Sequence, residues 1–407
     1  MSLNKTPRGD RVHIALFGKR NAGKSSIINA ITNQDIALVS SVKGTTTDPV
    51  YKAMEILPIG PVVIVDTAGL DDEGELGELR KKKTLEVLNK TDLAILIVDA
   101  ETGITNFEKG ILKNIKGKNI PIVGIINKID TAPLATEELS KMEKDLSLKL
   151  IPVSAIKKEG IEEVKNEIIK KLPDEDSKHK LVGDIIEPGD FVVLVVPIDS
   201  AAPKGRLILP QQQVIRDILD NDAISIVTKE YTLKDTLKNI GKKPKIVITD
   251  SQVFQKVSED TPEDIMLTSF SILFARYKGD LIKLIEGAKK LETLKDGDKV
   301  LIAEGCTHHR QSDDIGTVKI PKWIKEYTGK NIKFEFSSGF KYPSNLADYS
   351  LIVHCGGCML NRREMQHRIK VASDNNIPIV NYGVIIAYVK GILKRVTEPF
   401  PLANERL

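Results

Sequence analysis

The sequence predicts an α/β protein of three domains. Strand-like apolar runs alternate with helical segments along most of the 407 residues, an order that is typical of parallel sheets. A charged, apolar-poor segment at residues 173–178 begins with proline and indicates a linker. The alternation restarts after this segment, and again after Pro262. We therefore expect domains at residues 1–172, 173–262 and 263–407.

Composition and charge favour a soluble protein of the cytoplasm. Lys plus Arg total 60 against 56 Asp plus Glu, so the chain lacks the basic excess of a protein that coats nucleic acid. Three cysteines are an odd number, which argues against a secreted disulfide scaffold. The first residues are polar, and no apolar run approaches the ~20 residues of a membrane span. We expect a cytoplasmic protein that binds neither nucleic acid nor membrane.

The first domain opens with a complete phosphate-binding loop. Residues 13–17 predict a strand, residues 18–25 read G-K-R-N-A-G-K-S, and a helical segment follows. This is the order of a P-loop, whose backbone N–H groups and helix dipole hold phosphates. We expect Lys24 to reach the β- and γ-phosphates and Ser25 to bind Mg²⁺. The residues expected to bind nucleotide here are Gly18, Asn21, Ala22, Gly23, Lys24, Ser25 and Ser26.

Two further segments are expected at the γ-phosphate. Asp66 ends a strand-like run and begins D-T-A-G, where its carboxylate suits Mg²⁺ and the amide of Gly69 contacts the γ-phosphate. Residues 44–48 read G-T-T-T-D and resemble the G-T-T-R-D of bacterial GTPases that modify tRNA or assemble ribosomes. That resemblance makes Thr46, in the first switch loop, the expected Mg²⁺ ligand.

Two later motifs identify the base as guanine. Asn127, Lys128 and Asp130 form N-K-x-D after an apolar run. The carboxylate of Asp130 can accept from guanine N1–H and its amino group, whereas adenine offers no matching donors. Ser154 and Ala155 follow another strand-like run and resemble the last GTPase motif, which supports the base with loop amides. In this order, the motifs together are specific for a GTPase.

Hydrolysis is expected to depend on potassium. Leu70 stands where many small GTPases carry the glutamine that orients the attacking water. Asn21 resembles the P-loop asparagine of relatives that bind K⁺ beside the phosphates, an ion that supplies positive charge to the transition state. An ordinary loop asparagine is the alternative. The residues expected to act in catalysis are Lys24, Asn21, Thr46 and Gly69.

The middle region predicts a small parallel sheet of three strands and contains no catalytic constellation. A sheet of that size has exposed edges, and open edges are natural pairing sites for a second copy. We therefore expect this region to be a docking or dimerisation domain.

All three cysteines fall into one pattern, C-x-H…H-C-x-x-C. Cys306 follows one strand-like run, and Cys355 and Cys358 follow another directly after His354. Ligands of open parallel sheets lie beyond the carboxyl ends of the strands, so these cysteines can meet at one rim. Three thiolates are one short of the four usual for an iron–sulfur cluster, which suggests one iron open to exchange. A closed zinc site with one histidine, and three unrelated buried cysteines, are the alternatives.

The whole chain resembles the [FeFe]-hydrogenase maturation GTPases of the HydF family. The resemblance rests on G-K-R-N-A-G-K-S, D-T-A-G, N-K-I-D and S-A, combined with C-T-H at residues 306–308 and H-C-G-G-C at residues 354–358. It implies domains for GTP binding, dimerisation and cluster binding. It also implies a [4Fe-4S] cluster held by Cys306, Cys355 and Cys358.

The same resemblance implies cofactors, partners and a role. The cofactors are GTP, Mg²⁺, K⁺, the [4Fe-4S] cluster and a transient diiron subcluster. A homodimer or larger oligomer would act as a scaffold that receives the diiron unit from two radical-SAM hydrogenase maturases. It would then deliver that unit to apo-[FeFe]-hydrogenase, where the H-cluster is assembled.

Two alternatives stay open at this point. His308, His309 and His354 are each candidates for fourth iron ligand, for hydrogen-bond donor behind a ligand, or for a structural role. The alternative function is a tRNA-modification or ribosome-assembly GTPase with a structural zinc, which would share the whole first domain. The balanced charge and the lack of a basic RNA-binding module with its G-x-x-G loop argue against it.

Overall fold

A computed structural model of the chain has the expected α/β architecture with parallel sheets. It divides into two compact units, Met1–Asp174 and Glu175–Leu407. In the ranges that the structure describes, no helix is both long enough and apolar enough to cross a membrane. Those ranges are residues 6, 8–33, 49–67, 83–172, 180–198, 207–305, 314–339, 342–343 and 345–406.

The first unit is built on a six-stranded sheet. Its strands are β1 (Val12–Phe17), β2 (Val50–Ile56), β3 (Gly60–Asp66), β4 (Leu93–Asp99), β5 (Ile122–Asn127) and β6 (Leu150–Val153). Their order across the sheet is β2-β3-β1-β4-β5-β6, and only the β2–β3 pair is antiparallel. The helices are α1 (Lys24–Thr32), α2 (Asn106–Gly117), α3 (Thr136–Leu146) and α4 (Ile161–Lys171), and residues 83–88 are also helical.

This sheet is buried on both faces. Along β1, Ile14 and Leu16 pack in one hydrophobic core, while Ala15 and Phe17 pack in the other. A parallel sheet covered on both sides requires such continuous apolar strands. The carboxyl ends of β1, β3, β4 and β5 lie at one edge, so the P-loop, Asp66 and the N-K-x-D loop come together there.

The second unit contains two four-stranded parallel sheets. The middle sheet consists of β7 (Phe191–Val195), β8 (Ile224–Thr228), β9 (Ile246–Thr249) and β10 (Met266–Ser269), in the order β10-β9-β7-β8. Its helices are α5 (Leu209–Asp220), α6 (Leu233–Asn239) and α7 (Phe254–Asp260). The sequence analysis expected three strands, which is wrong: β10 is a fourth. It lies beyond residue 262, in the segment expected to open the third domain, so the expected domain bounds stay a prediction.

The last sheet carries the cysteine loop. Its strands are β11 (Lys299–Glu304), β12 (Lys333–Ser338), β13 (Leu351–His354) and β14 (Ile379–Asn381), in the order β12-β11-β13-β14. The helices of this part are α8 (Phe270–Lys278), α9 (Leu281–Ala288), α10 (Ile320–Thr328), α11 (Arg362–Asp374), α12 (Tyr382–Val389), α13 (Leu393–Thr397) and α14 (Pro401–Asn404). One continuous hydrophobic core joins this sheet to the middle sheet.

Candidate functional site

The P-loop turns tightly between β1 and α1. Asn21 and Gly23 adopt left-handed backbone conformations, with φ of 64° and 89°. Gly23 must be glycine, because a Cβ there would lie 2.2 Å from Nδ2 of Asn127. Asparagine tolerates the left-handed region better than most residues, which suits position 21. The side chains of Asn21, Ser25 and Ser26 are exposed at the mouth of this loop.

Lys24 lies folded along the loop. Its buried side chain donates from Nζ to the carbonyl oxygens of Gly18, at 2.8 Å, and Lys19, at 2.9 Å. The ammonium is therefore held at the P-loop by acceptors that a phosphate can replace. The role of Lys24 as a phosphate-binding cation stays a prediction.

Asp66, at the end of β3, is half-buried and has one buried carboxylate oxygen with spare acceptor capacity. Its Oδ1 has no hydrogen-bond partner among the described residues. Burial raises the pKa of Asp66, and the positive charge of Lys24 opposes that rise. The adjacent Thr67 donates from Oγ1 to Leu16 O at 2.6 Å and so fixes this strand end to β1. An unpartnered carboxylate oxygen is suited to a Mg²⁺ ion or its water ligands.

Asn127 joins the P-loop to the loop after β6. Its Nδ2 donates to Ala22 O at 3.0 Å, and its Oδ1 accepts from Ala155 N at 3.2 Å. Ser154 is buried, and its Oγ accepts from Lys157 N at 3.2 Å. Asn127 therefore links two loops of the site, and both polar atoms of its side chain are engaged in hydrogen bonds.

Lys128 pairs with an acidic residue that the sequence analysis missed. Its Nζ lies 2.6 Å from Asp99 Oδ2 and 3.8 Å from Glu101 Oε2. The hydrogen bond to Asp99 raises the pKa of Lys128, so this side chain is a fixed cation. Asp99 ends β4, and that strand-end position was the available indication of its role. The half-buried Asp130 makes no side-chain hydrogen bond or ion pair within the described residues, so its carboxylate is available to a base.

The cysteine loop begins at the carboxyl end of β13, beside the end of β11. Cys355 N donates to Ala303 O at 2.9 Å, which continues the pairing of the two strands. The Cys355 sulfur accepts from Gly305 N at 3.0 Å and from Gly357 N at 3.5 Å. Gly305 immediately precedes Cys306 in the chain. The structure thus brings Gly305, the residue before Cys306, against the Cys355 sulfur.

The metal-free Cys355 sulfur is a thiol at neutral pH. Burial raises the pKa of the Cys355 thiol to about 11. The hydrogen bond from Gly305 N opposes this rise, whereas the nearby charge of Cys358 adds to it. Metal binding would have to displace the proton, since thiolate is the form that coordinates iron or zinc.

His354 is fully buried, and both of its ring nitrogens are occupied. Nδ1 lies 2.7 Å from Cys355 O, and Nε2 lies 3.0 Å from Nη1 of Arg368. Since arginine only donates, Nε2 accepts and Nδ1–H donates to the carbonyl. Burial first, and the charge of Arg368 second, lower the pKa of His354 to about 3, so the ring is neutral. Arg368 is buried as well, and it also binds Glu364 Oε1 at 3.0 Å and Gly339 O at 2.9 Å.

Lys278 holds the other end of the cysteine loop. Its Nζ donates to Cys358 O at 3.2 Å and to Leu360 O at 2.8 Å. Its side chain is buried, although lysine is seldom buried without a partner. The sequence analysis did not single out Lys278 or Arg368.

Several expected site residues lie outside the described residues. Among the described residues alone, no group of three His, Cys, Asp or Glu side chains lies close enough to hold a metal ion. The proposed cluster includes a cysteine outside them, so that finding leaves the cluster prediction untested. The residues concerned are Thr46, Gly69, Leu70, Cys306, His308 and His309.

Known domain families match most of the chain. The 50S ribosome-binding GTPase family matches residues 13–128. The hydrogen maturase F dimerization domain matches residues 181–279, and the hydrogen maturase F tetramerization domain matches residues 282–399. The two maturase domains together account for just over half of the sequence.

Curated relatives are similar to part of the chain. The tRNA modification GTPase MnmE of Thermoanaerobacter sp. (strain X514) is 37% identical over 156 residues, which is 38% of this chain and 33% of that protein. GTPase Der of Clostridium perfringens (strain SM101 / Type A) is 36% identical over 143 residues, 34% of this chain and 32% of that protein. The chain thus spans about a third of the length of these relatives.

A crystal structure of Aquifex aeolicus Era bound to GDP.AlF4- covers 56% of this chain and 98% of that chain. Its sequence identity to this chain is 20% and its TM-score is 0.36, so this similarity adds nothing to the description of the fold given above.

Proposed function

This chain belongs to the hydrogen maturase F family, and from that membership we propose that it is a GTP-hydrolysing scaffold for hydrogenase maturation. In this proposal the protein binds a [4Fe-4S] cluster, assembles a diiron subcluster, and delivers it to apo-[FeFe]-hydrogenase. The observation that carries the proposal is the junction of Cys355 and Gly305 on a chain that also matches a GTPase family. The maturase domains include this junction, which a tRNA-modification or ribosome-assembly role leaves unexplained.

The GTPase family match supports GTP as the substrate and Mg²⁺ as its metal. The residues present fit Mg²⁺, because Asp66 offers a buried oxygen that has no partner within the described part of the chain. Ser25, Thr46 and Asp66 would hold the ion, which would neutralise charge on the β- and γ-phosphates. Lys24 would exchange its two loop carbonyls for phosphate oxygens, and the amide of Gly69 would donate to the γ-phosphate.

Guanine selection is assigned to Asp130. Its carboxylate would accept from guanine N1–H and the exocyclic amino group, with Lys128 held beside it by Asp99. The P-loop residues Gly18, Asn21, Ala22, Gly23 and Ser26, together with Asn127, Ser154 and Ala155, would complete the nucleotide site. Of these, Asn127 acts through Ala22 and Ala155, as its two hydrogen bonds indicate.

Potassium is assigned to Asn21. Its side chain is exposed and makes no hydrogen bond within the ranges that the structure describes, so it is available to an ion beside the phosphates. Such an ion would add positive charge where the transition state gains negative charge, a role that Leu70 cannot fill.

The donor set at the cysteine loop fits an iron–sulfur cluster. Backbone N–H groups aimed at a cysteine sulfur are the hydrogen bonds that stabilise cluster thiolates and tune their potential. Cys306, Cys355 and Cys358 would hold the cluster, which would supply one iron with an exchangeable position. Both ring nitrogens of His354 are engaged in hydrogen bonds, so we propose that this residue is not an iron ligand. Instead, it would hold Cys355 in place through the hydrogen bond to the Cys355 carbonyl oxygen. His308 remains the proposed candidate for the fourth ligand.

The two maturase domains indicate an oligomer, and the edge of the middle sheet supports a homodimer through β8. β8 is the outermost strand on its side, and Ile224 and Val227 are 43% and 48% exposed. Long apolar edge strands invite pairing with another chain. Apo-hydrogenase and the radical-SAM maturases are proposed as further partners on the strength of the family alone.

The experiment that tests the function is anaerobic purification followed by metal analysis and an activation assay. We expect brown protein with about four irons per chain that activates apo-hydrogenase when loaded by the maturases. Colourless protein with one zinc per chain and no activation would favour the RNA-related GTPase instead. A protein that contains neither iron nor zinc, and that takes up neither metal on reconstitution, would contradict both the iron–sulfur and the zinc interpretation of the cysteines.

A further inference from the structure

We infer that Lys278 is a positioning residue for the bound cluster: its buried ammonium fixes the C-x-x-C loop and adds a positive charge beside the iron ligands. The inference rests on the proposed function for the nature of the bound group. The hydrogen bonds that support the inference are formed in the protein without the bound group.

Lys278 contacts the cysteine loop through its buried ammonium. The residue is the last of α8, it is 1% exposed, and its Nζ bonds the carbonyls of both Cys358 and Leu360. The Nζ atom also lies 5.5 Å from the centre of the Phe274 ring, on the same helix. An ammonium carries three donors and no acceptor, so loop carbonyls are suitable partners for it.

The loop is therefore ordered by polarity. The carbonyls of Cys358 and Leu360 accept from Lys278, whereas the amides of Gly305 and Gly357 are directed at the Cys355 sulfur. Carbonyl oxygens that accept from an ammonium carry less uncompensated negative charge toward a nearby anion than free carbonyls would. Two amide donors at the Cys355 sulfur and two carbonyls engaged by Lys278 together favour a negatively charged group beside this loop.

The position of Lys278 is itself fixed from a second element. Gln366, on α11, donates from Nε2 to the carbonyls of Lys278 at 3.3 Å and Gly279 at 2.8 Å. Arg362 donates to Tyr277 O in the same place. These bonds occupy carbonyls at the carboxyl end of α8 and hold it against α11. With its backbone held in this way, the Lys278 side chain can hold the loop in one geometry.

The helix that ends in Lys278 begins directly after β10, since Ser269 ends the strand and Phe270 begins the helix. One rigid segment therefore runs from the middle sheet, which matches a dimerization domain, to the cysteine loop.

The experiment compares four chains after anaerobic cluster reconstitution: wild type, Lys278→Met, Lys278→Arg and Lys370→Met. The last is the matched control, because Lys370 is an exposed lysine on α11. The measurements are the midpoint potential of the cluster and the rate at which a chelator removes its iron. A positive charge nearby stabilises the reduced, more negative cluster. We expect Lys278→Met to have a more negative potential and faster iron loss, Lys278→Arg to lie near wild type, and Lys370→Met to equal it.

A potential and a rate of iron loss in Lys278→Met equal to those of wild type would overturn the inference. If wild type binds no cluster, the proposed function itself fails, which is a distinguishable outcome. Circular dichroism and thermal unfolding report whether each variant is folded. If Lys278→Met does not fold, Lys278→Gln keeps an amide donor but no charge. An unchanged potential together with an unchanged rate of iron loss in that variant would also overturn the inference.

Discussion

Replacing Asn127 by alanine tests whether one buried amide holds the nucleotide site together. The change removes the hydrogen bonds to Ala22 O and from Ala155 N at once. A buried hydrogen bond contributes about 1 kcal/mol net, and a polar group left buried without a partner costs about 1 to 3 kcal/mol. Asn127→Ala should therefore lower the free energy of unfolding of the first unit by about 2 to 4 kcal/mol.

Nucleotide affinity should fall as well, because the P-loop and the loop after β6 would no longer be joined. A loss of about 1.4 kcal/mol from this preorganisation corresponds to about tenfold weaker GTP binding. Titration with a fluorescent GTP analogue measures the affinity, and hydrogen exchange of the amides at residues 18–25 reports the order of the loop.

The matched control is Asn114→Ala, since Asn114 is exposed on α2 and alanine is the better helix former. This control should leave affinity and exchange unchanged. If Asn127→Ala binds GTP as tightly as wild type and its P-loop amides exchange no faster, the bridging role of Asn127 is refuted.

Three further predictions concern the base, the potassium ion and the dimer. Asp130→Asn should weaken GTP binding by about 3 kcal/mol or more, because two hydrogen bonds to a charged acceptor are lost. Calorimetry with GTP and ATP measures the affinities, and a wild-type protein that binds the two nucleotides equally tightly would contradict the assignment. GTP hydrolysis should be faster in K⁺ than in Na⁺, and Asn21→Ala should abolish that difference while GTP still binds; equal rates of the wild-type protein in both salts would exclude a potassium site. Val227→Lys should lower the mass of the oligomer measured by light scattering, because a charge on an edge strand opposes pairing, whereas Ile169→Lys on α4 should not; an unchanged mass would exclude β8 as the interface.

The nucleotide site could be predicted because each of its motifs follows a strand of one parallel sheet. Once β1, β3 and β5 are adjacent or nearly so, the P-loop, Asp66 and Asn127 must meet at one edge. Asp99 was missed because it belongs to no motif, although it also ends a strand of the same sheet. The link that Asn127 forms between two loops could not be predicted either, since the N-K-x-D motif suggests that this residue contacts the base.

The cysteine loop was predictable only in part, because its support comes from distant positions. Lys278 lies 80 residues before Cys358 in the chain, and Arg368 lies 14 residues after His354. A buried lysine and an exposed one look alike in sequence, so only the packing of α8 against α11 identifies Lys278. The strand β10 was missed because only its first two residues are apolar and because it leads directly into α8, with no turn residue to mark its end.

The most direct test of the central claim uses serine variants of the three cysteines. Each of Cys306→Ser, Cys355→Ser and Cys358→Ser would be compared with wild type for iron content, GTP hydrolysis and activation of apo-hydrogenase. We expect each variant to lose the cluster and hydrogenase activation together, while GTP hydrolysis largely survives, because the P-loop lies in the other compact unit. Full activation of apo-hydrogenase by any cysteine variant that lacks the cluster would contradict the claim that the cluster is the scaffold.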